Sequence, residues 1–151
     1  MTASLAQVSY GLTMRFEVQV DGLDLGAWSS CKGLSLKCKP FVFRETGNVF
    51  YDEIQPGEIS YVPVVLERAM DKESSVKVQT WLGTTFDTWL GSSKEYDGGT
   101  AKITLKDAVG STVSTWTLQR VYPTGWTGPT LSAKDNNVAI ESLELTHAGF
   151  F

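Results

Sequence analysis

Regular alternation of apolar and polar residues is the feature that most constrains how this chain can fold. Along residues 12–20, apolar side chains occupy every second position from Met14, and the residues between them are polar: Arg15, Glu17 and Gln19. Because successive side chains of a β-strand point to opposite faces, this pattern predicts a strand with one buried face. Asp21-Gly22 follows and predicts a turn.

Further strands are predicted along most of the chain. Residues 23–30 form a short return strand, and longer strand segments follow in order: Leu34–Arg44, Ile59–Glu67, Ala101–Lys106, Val113–Val121 and Val138–His147. The stretch Asn48–Glu58 between two of them is predicted as an exposed loop or a long hairpin tip, and Tyr122–Pro129 as a loop. In the last strand Ile140 and Leu143 are out of phase, which predicts a bulge between them.

One segment has helical spacing. From about residue 74 to residue 90 the apolar residues recur at steps of three and four, which places them on one stripe: Val78, Trp81, Leu82, Phe86 and Trp89. Asp71 is positioned to cap the start of this helix, and Gly91 stands where it should end.

These elements predict a mainly β fold with a single domain over residues 1–151. Six to eight antiparallel strands should form a barrel or sandwich, with one flanking α-helix over about residues 74–90. Residues 1–11 are predicted to be a flexible N-terminal segment. The sequence contains no internal repeat, low-complexity tract or linker.

The charge balance excludes several function classes. The net charge is −4 and the sequence pI is about 5.0, whereas general nucleic-acid binding and membrane-surface helices require a basic face. No apolar run is long enough to form a membrane anchor, and residues 1–11 have no pattern of a secretory signal.

The chain offers little material for catalysis or metal binding. His147 is the only histidine, and no serine lies in a nucleophile-elbow motif. No glycine-rich phosphate loop is present. The neighbouring carboxylates Asp52 with Glu53, and Glu141 with Glu144, are interpreted as solvated surface. We therefore expect no catalytic residues, no metal site and no cofactor, and we do not expect an enzyme.

Two cysteines, Cys31 and Cys38, lie seven residues apart. Zinc sites use four ligands, and the chain has too few histidines and cysteines to complete one from this pair. We interpret the cysteines as reduced, buried thiols. A disulfide across a tight hairpin is the alternative.

Five tryptophans raise the possibility of stacking against sugar rings. Trp81, Trp89 and Trp116 fall on apolar faces, so they are predicted to lie in the core or in a subunit interface. Trp28 and Trp126 lie in or near predicted loops. These two define the alternative hypothesis of a carbohydrate-binding β-sandwich module.

Short motifs in a fixed order carry a family resemblance. The order comprises Phe16-Glu17-Val18, Trp28 to Leu34, Arg44-Glu45-Thr46-Gly47, Gln55-Pro56-Gly57, Val64 to Arg68, the helix with Trp81, Ile103 to Asp107, Gly128-Pro129, and the closing segment Asn137 to His147. Together they resemble the tail-tube family of contractile phages and their relatives, the inner tubes of contractile injection systems and the Hcp tubes of type VI secretion. The resemblance covers roughly residues 14–149.

The resemblance implies an antiparallel β-barrel with a flanking helix that assembles into homo-hexameric rings. Stacked rings would form a hollow tube, with a sheath protein, baseplate or spike proteins and terminator proteins as partners and a lumen open to cargo. Assembly would take place in the bacterial cytoplasm, within a phage tail or a phage tail-like particle that can be released. A type VI Hcp-like tube is the closest alternative.

The resemblance also implies a long hairpin between Arg44 and Glu58, which we predict to contact neighbouring rings or subunits. The candidate contact residues are Arg44, Glu45, Asn48, Phe50, Tyr51, Asp52, Glu53 and Glu58. A mobile surface loop is the alternative interpretation. Two polar strand faces could line a wet lumen or form ordinary outer surface: Ser35, Lys37 and Lys39, and Lys102, Thr104 and Lys106.

Overall fold

A computed structural model describes residues 15–91, 96–130 and 138–150. The predicted flexible segment 1–11 lies outside these residues. The described part contains nine strands and one helix: β1 (Arg15–Val20), β2 (Leu23–Trp28), β3 (Ser30–Lys32), β4 (Leu36–Phe43), β5 (Glu53–Tyr61), β6 (Val64–Ala69), α1 (Lys72–Leu90), β7 (Gly99–Lys106), β8 (Thr112–Thr127) and β9 (Ile140–Thr146).

Seven strands form one antiparallel sheet that closes into a barrel. Their order is β2-β1-β7-β8-β9-β6-β3, which places β2 at one edge and β3 at the other. Only Ser29 separates β2 from β3, so the chain passes directly from the first edge to the last. The predicted mainly β, antiparallel fold with one helix is therefore confirmed.

The barrel core follows the alternation in the sequence. Val18 and Val20 of β1 are fully buried, and so are Ala101 and Ile103 of β7. These residues face each other across the β1–β7 ladder, where Val18 pairs with Ile103. Burial of each of the valine and isoleucine side chains contributes about 1.5–3 kcal/mol, so the faces that the alternation predicts to be buried are the ones that stabilise the barrel.

The structure corrects two predictions about the later strands. β8 continues to Thr127, whereas residues from Tyr122 onward were predicted as a loop. Pro123 is tolerated because the β8–β9 register shifts between Pro123 and Gly125, which places the proline at an irregularity. The bulge predicted in β9 is absent from its pairing with β6, which runs without a shift from Ile140 to Leu145.

Helix α1 begins at Lys72, two residues before the predicted start. The Asp71 carboxylate caps it by accepting a hydrogen bond of 3.2 Å from the Ser74 N–H. This backbone hydrogen bond is the main cause that lowers the pKa of Asp71. Gly91 ends the helix as predicted. Val78, Trp81 and Leu82 of the predicted stripe are buried and Phe86 is half-buried, whereas Trp89, which was predicted to lie in the core or in a subunit interface, is 38% exposed. The helix thus packs on the barrel through the predicted face.

A protruding hairpin as the candidate functional site

The hairpin β4–β5 forms a separate two-stranded sheet beside the barrel. β5 begins at Glu53, so the loop between the two strands is shorter than the predicted stretch to Glu58. The strand predicted over Ile59–Glu67 is divided between β5 and β6 at Val62-Pro63. Proline cannot donate to a strand ladder, and this break is where the hairpin meets the barrel.

Cross-strand pairing separates the hairpin into two faces. Leu36 pairs with Tyr61 and Cys38 with Ile59 on one face, whereas Lys37 pairs with Ser60 on the other. The predicted alternation of apolar and polar residues along β4 is therefore present.

The register of the β4–β5 ladder shifts between Lys39 and Phe41, where β5 has one residue more than β4. Because the extra residue belongs to β5, the side chains of β4 keep alternating between the two faces. Val42 with its partner Ile54 consequently continues the face of Leu36 and Cys38. We call this the apolar face; its members are Leu36, Cys38, Val42, Ile54 and Ile59. The opposite face carries Lys37, Lys39, Glu58 and Ser60 near the barrel and the Phe41 and Phe43 rings farther out, whose centroids are 5.7 Å apart.

The apolar face is open to solvent within a single chain. Val42 is 50% exposed and Ile54 is 71% exposed, and the other three members are exposed as well. These side chains were not among the predicted contact residues. The alternation along β4 and the cross-strand partners along β5 would have indicated them, had β5 been predicted from Glu53 onward.

Polar contacts shape the tip of the hairpin. The Arg44 Nε donates to Asp52 Oδ1 at 2.9 Å, and both side chains are about half exposed. Asn48 Oδ1 accepts hydrogen bonds from the N–H groups of Phe50 and Tyr51, at 3.0 and 3.4 Å. This turn leaves the Phe50 side chain 90% exposed at the end of the hairpin.

The structure brings all eight predicted contact residues onto this one hairpin. Arg44 and Asp52 form the ion pair, Asn48 forms the turn, and Glu53 and Glu58 lie in β5 opposite Phe43 and Lys39. The others are exposed in the loop: Glu45, Phe50 and Tyr51. Their role as contacts stays a prediction.

The predicted polar face of β7 points away from the barrel core. Lys102 is exposed, Thr104 is half-buried, and Lys106 forms an ion pair of 3.1 Å with Glu17. The β4 residues Lys37 and Lys39 are exposed on the hairpin. The two proposed lumen faces therefore lie on different sheets.

Trp28 is buried in the core and does not lie in a surface loop, contrary to the prediction. Its side chain is 1% exposed, and the Arg68 guanidinium carbon lies 3.9 Å from the centroid of its ring. Trp126 is 38% exposed and donates from Nε1 to Glu141 Oε2 at 3.2 Å. The two tryptophans therefore do not form a common platform for a sugar ring.

Glu141 is also buried, contrary to its interpretation as solvated surface. It is fully inaccessible, and its Oε1 accepts hydrogen bonds from Arg68 Nε at 2.6 Å and from the Ser75 hydroxyl at 2.8 Å. Arg68 and Glu141 both occupy inward positions of their strands, next to Leu66 and Leu143 respectively. In the sequence, each of these charged residues lies two positions from a leucine on the same face of its strand. That spacing could have indicated that both charges are buried.

The predicted pair of buried thiols is wrong for Cys38. Cys31 is half-buried in β3, Cys38 is exposed on the hairpin, and both thiols are free. Burial raises the pKa of the Cys31 thiol to about 11. The alternation along β4 places Cys38 on the apolar face, whose five members are exposed.

Neither a metal centre nor a membrane span is found among residues 15–91, 96–130 and 138–150. No group of three or more His, Cys, Asp or Glu residues there could hold a metal ion. No helix of that part combines the length and apolarity needed to cross a membrane.

Comparison with known proteins gives one family match. Residues 12–151 match the family model described as T4-like virus tail tube protein gp19. No curated protein matches the chain by sequence.

Several solved structures share the fold. A chain of the anti-feeding prophage baseplate is 24% identical, with a TM-score of 0.64 over 97% of this chain and 95% of that chain. A chain of the PVC extracellular contractile injection system sheath-tube complex is 18% identical, with a TM-score of 0.69 over 99% and 96%. The cap that terminates the anti-feeding prophage tube gives 16% identity and a TM-score of 0.68 over 96% and 91%.

Proposed function

Because this chain belongs to the family of T4-like virus tail tube proteins, we propose that its copies form six-membered rings that stack into a hollow tube. A surrounding sheath would contract and drive that tube through a target envelope. One observation supports this assembly above the others: a hairpin that leaves the barrel with its apolar face uncovered.

The hairpin needs a partner for physical reasons. An isolated two-stranded ribbon is at best marginally stable in water, since it has no second layer to cover its side chains. Each Å² of apolar surface removed from water contributes about 25 cal/mol, and the apolar face carries five uncovered side chains. Contact with another molecule would stabilise the hairpin and remove an exposed apolar patch.

A second copy of the chain is the partner that fits best. Rings of more than two subunits use heterologous contacts, in which one patch of each subunit meets a different patch of the next. β4 has eight residues, and at 3.3 Å per residue it extends about 26 Å, far enough to lie across an adjoining subunit. The ion pair and turn at the tip would then place the exposed rings of Phe50 and Tyr51 against that subunit.

The remaining partners follow from the proposed tube. The similar chains come from a baseplate, a sheath-tube complex and a tube-terminating cap, which supports a sheath protein, baseplate or spike proteins and a terminator as partners here. Cargo would pass through the lumen, lined either by the β7 face of Lys102 and Thr104 or by the hairpin face of Lys37 and Lys39. The subunit would assemble in the bacterial cytoplasm and act as a structural protein without catalysis.

Electron microscopy of negatively stained protein, combined with mass photometry, tests the proposal. We expect rings or hollow tubes with six-fold symmetry, and masses at multiples of six subunits. A phage-like tube and a type VI Hcp-like tube differ in their sheath partner. The kind of sheath protein that binds the tube should therefore distinguish them. A strict monomer that binds sugars on a glycan array would overturn the proposal in favour of the carbohydrate-binding module.

A further inference from the structure

The segment that follows β9 packs against the root of the hairpin. We call residues 147–150 the closing strap. Tyr61, the last residue of β5, contacts two rings of this strap: the centroid of His147 lies 5.5 Å away and that of Phe150 lies 5.3 Å away. The two strap rings are 5.9 Å from each other. Three rings therefore meet where the hairpin leaves the barrel.

Hydrogen bonds hold the strap on both sides. The Gln119 N–H of β8 donates to the Gly149 carbonyl, and the Ala148 N–H donates to the Gln119 carbonyl, each at 2.8 Å. On the other side His147 Nε2 lies 3.1 Å from the Val62 carbonyl, to which it donates. The strap thus joins the barrel wall to the link between β5 and β6.

Gly149 shows how closely the strap approaches the hairpin. Its φ is +143°, and a Cβ built at this position would lie 2.9 Å from Cζ of the Tyr61 ring. The backbone conformation therefore favours glycine, and a larger side chain would have to displace the end of the Tyr61 ring.

Within the part of the chain that the structure describes, the other contacts given for the root are local. β4 and β5 pair with each other and with no other strand of the described chain. Gly33, in the incoming link, packs against the backbone of Pro63 in the outgoing link, since a Cβ on Gly33 would lie 2.2 Å from the Pro63 carbonyl oxygen. A two-stranded ribbon held at one end can change direction as a unit, unless packing at that end prevents it.

We propose that the closing strap fixes the direction in which the hairpin leaves the barrel and so presents the apolar face to a second copy. Tyr61 is the point of contact, because it belongs to the hairpin and packs on His147 and Phe150. This inference rests on the proposed function, since the direction of the hairpin matters for assembly only if the hairpin contacts a second copy.

The test compares two glycine substitutions in the full chain. Gly149→Ala places a methyl group against the Tyr61 ring. Gly110→Ala is the matched control, because Gly110 also has a positive φ, of +86°, but nothing lies within 4 Å of its added Cβ. Hydrogen exchange is measured on dissociated subunits for the amides of β4 and β5 and, as a reference, for those of β1 and β7.

We expect Gly149→Ala to accelerate exchange in β4 and β5 by about tenfold, with β1 and β7 unchanged and with fewer tubes in micrographs. Equal hairpin exchange in the two glycine variants, together with normal tubes, would overturn the inference. If Gly149→Ala also accelerates exchange in β1 and β7, Tyr61→Leu decides, since it removes the ring that contacts the strap while Phe150 stays packed against the core. Wild-type protein that forms no rings would count against the proposed function, while the exchange comparison would still test the strap.

Discussion

Arg68 donates a hydrogen bond of 2.6 Å from Nε to Oε1 of Glu141, inside the barrel and 73 residues away along the chain. Both side chains are nearly inaccessible, at 4% and 0% exposure. Arg68 Nη1 also donates to the Leu25 carbonyl of β2 at 2.6 Å. The pair therefore connects β6 and β9 to β2, where the chain crosses from one edge of the sheet to the other.

Removing one member of this pair should strongly destabilise the fold. Arg68→Met or Glu141→Gln leaves the other charged side chain buried and poorly compensated, which costs about 3–5 kcal/mol. The double variant Arg68→Met/Glu141→Leu should lose much less than the sum, since no buried charge remains. Chemical denaturation measures each change. Arg44→Ala is the control, because the half-exposed Arg44–Asp52 pair should contribute less than about 1 kcal/mol. This prediction would be contradicted if the free-energy losses of the Arg68 and Glu141 single variants added up to the loss of the double variant.

A charge on the apolar face of the hairpin should prevent tube assembly without unfolding the subunit. Ile59→Glu places a carboxylate on that face, where contact with a second copy would desolvate it. Ser60→Glu is the matched control, since Ser60 is the next residue and faces the opposite way, beside Lys37. We expect at least a tenfold loss of rings and tubes for Ile59→Glu, about 1.4 kcal/mol or more, and little loss for Ser60→Glu. Equal assembly of the two variants would exclude this face as a contact.

The two cysteines should differ in reactivity. With a pKa of about 11, only about one Cys31 thiol in a thousand is ionised at pH 8, and the thiolate is the reactive form. A maleimide should therefore label exposed Cys38 first, as judged by mass spectrometry of Cys31→Ser and Cys38→Ser variants. Assembled tubes should protect Cys38, because it belongs to the apolar face. Rapid labelling of Cys38 in intact tubes would show that this face stays open.

His147 should make the stability depend on pH below about pH 7. Burial is the main cause that lowers its pKa below the ordinary value of about 6.5. The unfolded chain therefore takes up a proton at a higher pH than the folded chain. Stability should be constant above the ordinary pKa and should fall as the pH drops from there to the lowered value.

Urea unfolding at several pH values measures this effect, and His147→Gln is the control. Since the chain has a single histidine, the variant should show a nearly flat profile over the same pH range. A slope that persists in His147→Gln would assign the effect to other groups.

Local sequence periodicity determined the barrel strands and the helix. The alternation along β1 and β7 and the three- and four-residue steps along α1 from Val78 to Phe86 predict the buried face, because the side chains of one element share a fixed geometry. Trp89, the last member of the predicted stripe, is exposed. The helix cap at Asp71 and the helix end at Gly91 also depend only on residues close in sequence. Such features depend on neighbours within a few residues, so the sequence alone suffices.

Only the tertiary structure decided the burial of residues that the local patterns place wrongly. In the sequence, Glu141 resembles a surface carboxylate. In the fold, its carboxylate accepts hydrogen bonds from Arg68, Ser75 and Trp126, which come from distant parts of the chain. Trp28 is in the core because β2 and β3 close the barrel around it, and Cys38 is exposed because the hairpin leaves the barrel. Burial depends on contacts between residues far apart in sequence, and those contacts exist only after the sheet has closed.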